Sequence, residues 1–176
     1  MQIGVTIPLQ KFLKASSPPY GPPEDLFYCW EAHVIFFQGK ETLVAVNASS
    51  RFAVVLWGMA AADWASYPEL LKEGIALGLS GEGYTDEQVQ AYFKRAGRLS
   101  VTKTHGRRPV AGLNRAVERL FGLTADADKT RKYQALHSRF ANEERCSAAG
   151  FSDKGCPRDF LEEEMKRTGI LKQKEI

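Results

Sequence analysis

Apolar side chains alternate at the start of the chain, where Ile3, Val5 and Ile7 share one side of residues 2–8. A period of two places them on one face of a β-strand. Gln10-Lys11-Phe12-Leu13 reads as one short helical turn. Residues 14–25 then break every pattern with Ser16, Ser17, Gly21 and the prolines Pro18, Pro19, Pro22 and Pro23. Proline has no N–H for a ladder and fixes its own φ, so a loop is expected here. Three strands follow over residues 27–37, 42–47 and 51–57, separated by Gln38-Gly39-Lys40 and Asn47-Ala48-Ser49-Ser50. Turns this short impose antiparallel pairing. They predict a meander with the N-terminal strand as its fourth member. Val54, Val55, Leu56 and Trp57 are apolar on both faces, so helices must cover the sheet.

Beyond residue 65 the spacing becomes helical. Ser66-Tyr67-Pro68-Glu69 has the form of a capping box ahead of Leu71, Ile75 and Leu79, predicting a helix that ends in the glycine-rich stretch 78–83. Thr85-Asp86-Glu87-Gln88 repeats the form ahead of Val89, Tyr92, Phe93 and Ala96. Residues 99–104 suit a fifth strand at a sheet edge. A third helix opens at Pro109 with Leu113, Val117, Leu120 and Phe121 inward. A fourth spans about 129–146, and a fifth begins at Pro157 and carries Phe160, Leu161 and Met165. The fold class expected is α+β, with an antiparallel four- to five-stranded sheet covered by about five helices. Residues 1–125 would form the sheet-plus-helix core. Residues 126–176 would pack on it as a helical extension, giving a single compact unit.

Composition narrows the function classes. Of 176 residues, 44% are hydrophobic and 26% charged, values that exclude a disordered chain, a collagen-like fibre or a coiled-coil rod. No apolar run approaches the ~20 residues of a membrane span. Residues 1–13 lack the pattern of a signal peptide, so no membrane association and a cytoplasmic location are expected. The three cysteines, Cys29, Cys146 and Cys156, form neither a disulfide framework nor a zinc motif. Cys29 and His33 lie about 13 Å apart along a strand and cannot share an ion there. No nucleophile elbow or phosphate loop is present, since residues 78–83 lack the Lys-Ser/Thr that such a loop requires. No metal and no cofactor are therefore expected. Glu143-Glu144 and Glu162-Glu163-Glu164 read as solvated helix faces. Trp30, Trp57 and Trp64 read as core.

The charge distribution supplies the one candidate site. Residues 1–100 carry 8 basic and 10 acidic side chains, whereas residues 101–176 carry 16 and 11. The positive charge centres on Lys103-Thr104-His105-Gly106-Arg107-Arg108-Pro109, a basic loop that runs into a helix start. Free N–H groups and the helix dipole favour an anion at such a place, and arginine forks add charge-assisted bonds. The candidate ligand-binding residues are Lys103, His105, Arg107 and Arg108, with Arg115 in the helix that follows. The competing reading is a surface loop whose arginines pair with nearby carboxylates such as Glu118.

The same residues resemble a known family. Trp30 at a strand start, Thr42-Leu43-Val44-Ala45-Val46-Asn47 and Arg51-Phe52-Ala53-Val54-Val55-Leu56 resemble the core of an uncharacterised bacterial family, domain of unknown function number 6933. Gln10-Lys11-Phe12-Leu13 fits its start. Arg108-Pro109-Val110-Ala111-Gly112 is similar to its Arg-x-x-x-Gly signature. Arg115 stands where the family pattern has Asn, and the proline-rich loop is an insertion. The resemblance covers most of residues 1–125 and implies a fold but no activity. Three readings stay open. One is a non-enzymatic binding module for an anion, either nucleic-acid backbone or an acidic protein partner. Another is an enzyme acting on a small phosphorylated or carboxylated substrate, with His105 as acid or base. The third is an interaction subunit of a plasmid or toxin–antitoxin type system.

Overall fold

The structure, a computed structural model, describes residues 1–172. Its five strands are β1 Gln2–Val5, β2 Cys29–Phe37, β3 Lys40–Asn47, β4 Ala53–Leu56 and β5 Ser100–Lys103. They form one sheet in the order β4–β3–β2–β1–β5. The helices are α1 Ile7–Phe12, α2 Ala61–Ala65, α3 Tyr67–Gly81, α4 Asp86–Ala96, α5 Arg107–Phe121, α6 Ala135–Asn142 and α7 Pro157–Arg167, with a single 3-10 turn at Leu26–Tyr28.

β2, β3 and β4 make the expected antiparallel meander, with Ala32 opposite Ala45 and Ala45 opposite Val54. β1 does not follow the expectation. It runs parallel to both neighbours, with Ile3 beside Trp30 and Val101, so the sheet is mixed rather than antiparallel. The reason lies in connection length. Tight turns dictate antiparallel pairing only between β2, β3 and β4. Residues 6–28 give β1 a long crossover containing α1, which returns the chain to begin β2 in the same direction.

Alternation along the strands divides two cores. Ile3, Trp30, Ala32, Leu43, Val54 and Leu56 pack against Leu9, Leu71, Ile75, Leu79, Tyr92, Leu161 and Met165 on one face. Ile35, Phe37, Val44, Val46, Ala53 and Val55 pack against Leu113, Ala116 and Leu120 of α5 and Ala141 of α6 on the other. Both faces are buried, which is why the strands read as continuous apolar runs.

The helices differ from expectation in instructive ways. The Thr85–Gln88 capping box forms reciprocally at the head of α4. Ser66 caps nothing with its side chain, because α2 runs directly into α3 and Ser66 lies at the junction. The helix expected over about 129–146 contracts to Ala135–Asn142. Residues 132–134 instead pair with the open edge of β4: Trp57 N–H donates to the Lys132 carbonyl at 2.8 Å, and Gln134 N–H to the Val55 carbonyl at 2.9 Å. From α6, Ser138 Oγ accepts from Val55 N–H at 3.1 Å. Asn142 accepts from Ala53 N–H at 2.6 Å and donates to its carbonyl at 2.9 Å. An exposed edge is thus converted to a covered one. Among the described residues, no helix is long and apolar enough to cross a membrane.

Candidate functional site

α5 divides the residues that the sequence groups together. The helix begins at Arg107, ahead of the expected start at Pro109, so Arg107 and Arg108 are consecutive helical positions about 100° apart around the axis. Lys103, His105 and Arg107 line one hollow of about 770 Å³. Arg108 and Arg115 line a different hollow of about 480 Å³.

The smaller hollow is strongly basic. Arg108, Ala111, Gly112 and Arg115 form its α5 wall, spaced so that they share one helix face. Arg145, Lys154 and Arg51 face them, and Glu144 is the one carboxylate in the lining. Arg108 Nη2 donates to the carbonyls of Ala148 at 3.1 Å and Phe151 at 3.4 Å, which ties the opposite wall to α5. The pairing with Glu118 belongs to Arg115, at 3.2 Å between two exposed side chains. Arg107, Arg108, Arg145 and Lys154 form no ion pair among the described residues; the pairs there involve other cations.

Arg51 forms the floor. It is only 5% exposed, and its Nε donates to the Gly112 carbonyl at 3.1 Å. A Cβ on Gly112 would stand 3.4 Å from the Arg51 side chain, an ordinary contact, so α5 packs directly on the arginine stem. The turn before Arg51 is built by Asn47. Its side-chain oxygen accepts from Ser49 N–H, Ser50 N–H and Ser50 Oγ, and its amide donates to the carbonyls of Phe27 and Cys29. The chain leaves this turn with Arg51 at φ 62, a left-handed conformation that costs a non-glycine residue about 1–2 kcal/mol. Burial pushes the Cys146 thiol above its ordinary value, and the Arg51 guanidinium beside it works in the opposite direction.

The larger hollow lies at the other side of the α5 head. One wall is the proline-rich loop, pinned by three contacts. Lys103 N–H donates to the Pro19 carbonyl at 2.9 Å, Gln2 Nε2 donates to the Pro22 carbonyl at 2.7 Å, and the Lys103 ammonium stands 4.5 Å above the Tyr20 ring. Behind the lining lies Glu31, fully buried on β2. Its Oε1 contacts His105 Nδ1 at 2.6 Å and accepts from His105 N–H at 2.8 Å. His105 Nε2 faces Gln2 Oε1 at 2.9 Å, so both ring nitrogens are engaged within the protein. Glu31 Oε2 is buried without a hydrogen-bond partner. Gly4 makes room for it, since a Cβ there would fall 2.6 Å from that oxygen and 2.8 Å from Thr104 Cα.

The family model described as Domain of unknown function (DUF6933) matches residues 2–160. The chain belongs to this family. The match runs well past residue 125, where the motif resemblance ends, and so takes in α6 and the edge-covering segment. No curated protein matches the chain. For this DUF6933 member the Arg-x-x-x-Gly signature acquires a structural place, because Arg108 and Gly112 both line the basic hollow and the Gly112 carbonyl accepts from Arg51 Nε.

Arg51, Arg145 and Lys154 are not among the candidate ligand-binding residues that the sequence offers, although Arg51 opens one of the motifs that carry the family resemblance. Arg51 reads there as an ordinary strand start, and its left-handed turn leaves no periodic signal. The reading of the tryptophans as core holds for two of the three, with Trp57 half-buried against the α5 side of the sheet. Trp30 and Trp64 are buried, and burial pushes the Cys29 thiol up to about 12, as suits an inert core cysteine. Glu164 departs from the solvated-face reading: it is 5% exposed, accepts from Ser49 Oγ at 3.1 Å and pairs with Arg167. Among the described residues no group of His, Cys, Asp and Glu is placed to hold a metal ion.

Proposed function

We propose that the chain is a binding module that takes a phosphate-bearing ligand, nucleic-acid backbone first, in the basic hollow beside α5. Arg51 carries the reading: a buried guanidinium facing a hollow, with no carboxylate paired to it among the described residues. A buried cation without a counter-ion is unfavourable, and an anion in the hollow removes that cost. Arg108, Arg145 and Lys154 add positive charge, as does Arg115, which pairs with Glu118; Glu144, the one carboxylate in the lining, pairs with Arg119 at 3.6 Å. Planar guanidinium forks match phosphate oxygens in geometry as well as charge. The catalytic reading has less support. His105 lines the other hollow, and both its ring nitrogens are taken by Glu31 and Gln2.

Fluorescence anisotropy with labelled single- and double-stranded DNA and RNA tests the proposal. Affinity should fall linearly in log salt as phosphate contacts exchange with counterions. Arg115→Ala and Arg145→Ala, both at exposed positions, should weaken binding and reduce the salt slope while leaving unfolding unchanged. Arg51→Gly relieves the left-handed φ and should remove binding altogether. Failure of every nucleic acid and of pyrophosphate to bind at low salt would sink the idea. Competition by poly-glutamate but not by pyrophosphate would transfer the hollow to an acidic protein partner.

A further inference from the structure

The larger hollow sits where the topology of the sheet changes. β1 and β5 are adjacent and parallel. α1, which leaves β1, packs through Leu9 on the face that holds Ile3 and Trp30. α5, which leaves β5, packs through Leu113 and Leu120 on the opposite face. Neighbouring parallel strands whose chains depart to opposite faces leave a crevice beyond their carboxyl ends, and such crevices are where open sheets bind ligands. The hollow occupies that place, with Val5 and Ile7 from the end of β1 and Lys103 to Arg107 from the end of β5 in its lining.

From this we infer that the hollow is a second, separate site, for a small molecule with a flat apolar ring bearing a carboxylate or phosphate group. Its walls carry the two halves of that chemistry. Val5, Ile7, Val110, Pro22, Pro23 and Tyr20 supply an apolar and aromatic side for a ring. Lys103 and Arg107 supply positive charge beside the open end of α5, and Arg107 pairs with no carboxylate among the described residues. Glu24 is the one carboxylate in the lining, and its Oε1 accepts from Asp25 N–H at 3.1 Å. Its volume of about 770 Å³ falls in the usual range for small-molecule sites.

Glu31 is an independent pointer. A fully buried carboxylate with one unpartnered oxygen is unfavourable in a sheet interior. Its contacts fix the His105 ring and the His105 N–H at the head of α5. His105 in turn orients Gln2, and Gln2 holds the proline-rich wall. The costly group therefore preorganises the hollow from behind, as a positioning residue.

The experiment is an NMR titration of isotope-labelled full-length protein with an indole carboxylate and with adenosine monophosphate. Either ring acid should shift residues 104–107 and Tyr20 saturably, the two probes separating a carboxylate from a phosphate as the anionic group. Indole, adenosine, acetate and inorganic phosphate, which carry only half of the chemistry, should bind there about tenfold or more weakly. Arg107→Ala, at an exposed position, should weaken the ring acids about tenfold, and Arg108→Ala should not. The inference is overturned if neither ring acid moves these resonances at millimolar concentration, or if Arg107→Ala binds as the parent does. Inorganic phosphate followed at Ala111 and Ala148 reports the basic hollow in the same sample, so failure of one site is distinguished from failure of the other.

Discussion

Gly4 shows how a single atom's absence organises a site. Glu31 and Gly4 are register partners on neighbouring strands, and the carboxylate lies over the glycine because no Cβ stands there. Gly4→Ala would drive a methyl group against the Thr104 backbone as well as Glu31, and the backbone cannot swing aside. It is expected to destabilise the fold by about 1–3 kcal/mol in chemical denaturation. His33, on the same face, carries a pH signature. Burial lowers its pKa from 6.5, and its Nδ1 lies 2.8 Å from Thr6 Oγ1. The unfolded chain takes up a proton near 6.5 while the folded side chain resists. Stability is therefore lost as pH falls below about 6.5 toward the lowered folded value, and is untouched above it. His33→Gln should flatten that acid limb in denaturation midpoints measured from neutral pH downward.

At the scale of elements, α6 serves mainly as an edge guard. Its apolar stripe is short, and its polar residues Ser138 and Asn142 do the work of a missing strand along β4. Asn142→Ala strips both hydrogen bonds from Ala53 in a dry environment. A loss of about 2–3 kcal/mol is expected, with concentration-dependent association visible by light scattering as the edge opens. Leu136, on the exposed side of α6, should tolerate Ala with little change. The basic hollow depends on the same C-terminal region, since the segment after α6 contributes Arg145, Ala148 and Lys154.

Across the whole molecule, late and early parts of the chain share one core. Leu161 and Met165 of α7 pack with Trp30 of β2 and Phe27 of the 3-10 turn before it. Asp25 is bridged to Arg167 at 2.7 Å. Leu161→Ala should therefore cost about 2–5 kcal/mol. It should lower the tryptophan-fluorescence and helix-signal midpoints together, because all three tryptophans precede residue 65 and the helices mostly follow it. Two separated transitions would show instead that the C-terminal helices unfold independently.

The amino-acid pattern by itself determined what depends on near neighbours. The β2–β3–β4 meander follows from period two and tight turns, α4 from its Thr85–Gln88 box, and the basic loop from local charge density. Arg108 and Gly112 stood out through the resemblance to the family's Arg-x-x-x-Gly signature. Only the tertiary structure decided the direction of β1, since a long connection leaves both directions open. It alone split Arg107 from Arg108, because two residues about 100° apart on a helix face different surroundings once the helix is docked. And it alone placed Arg51 under Gly112 and Glu31 behind His105. Those pairs are 61 and 74 residues apart, and contacts across such spans arise from packing of the folded chain and leave no local periodicity to read.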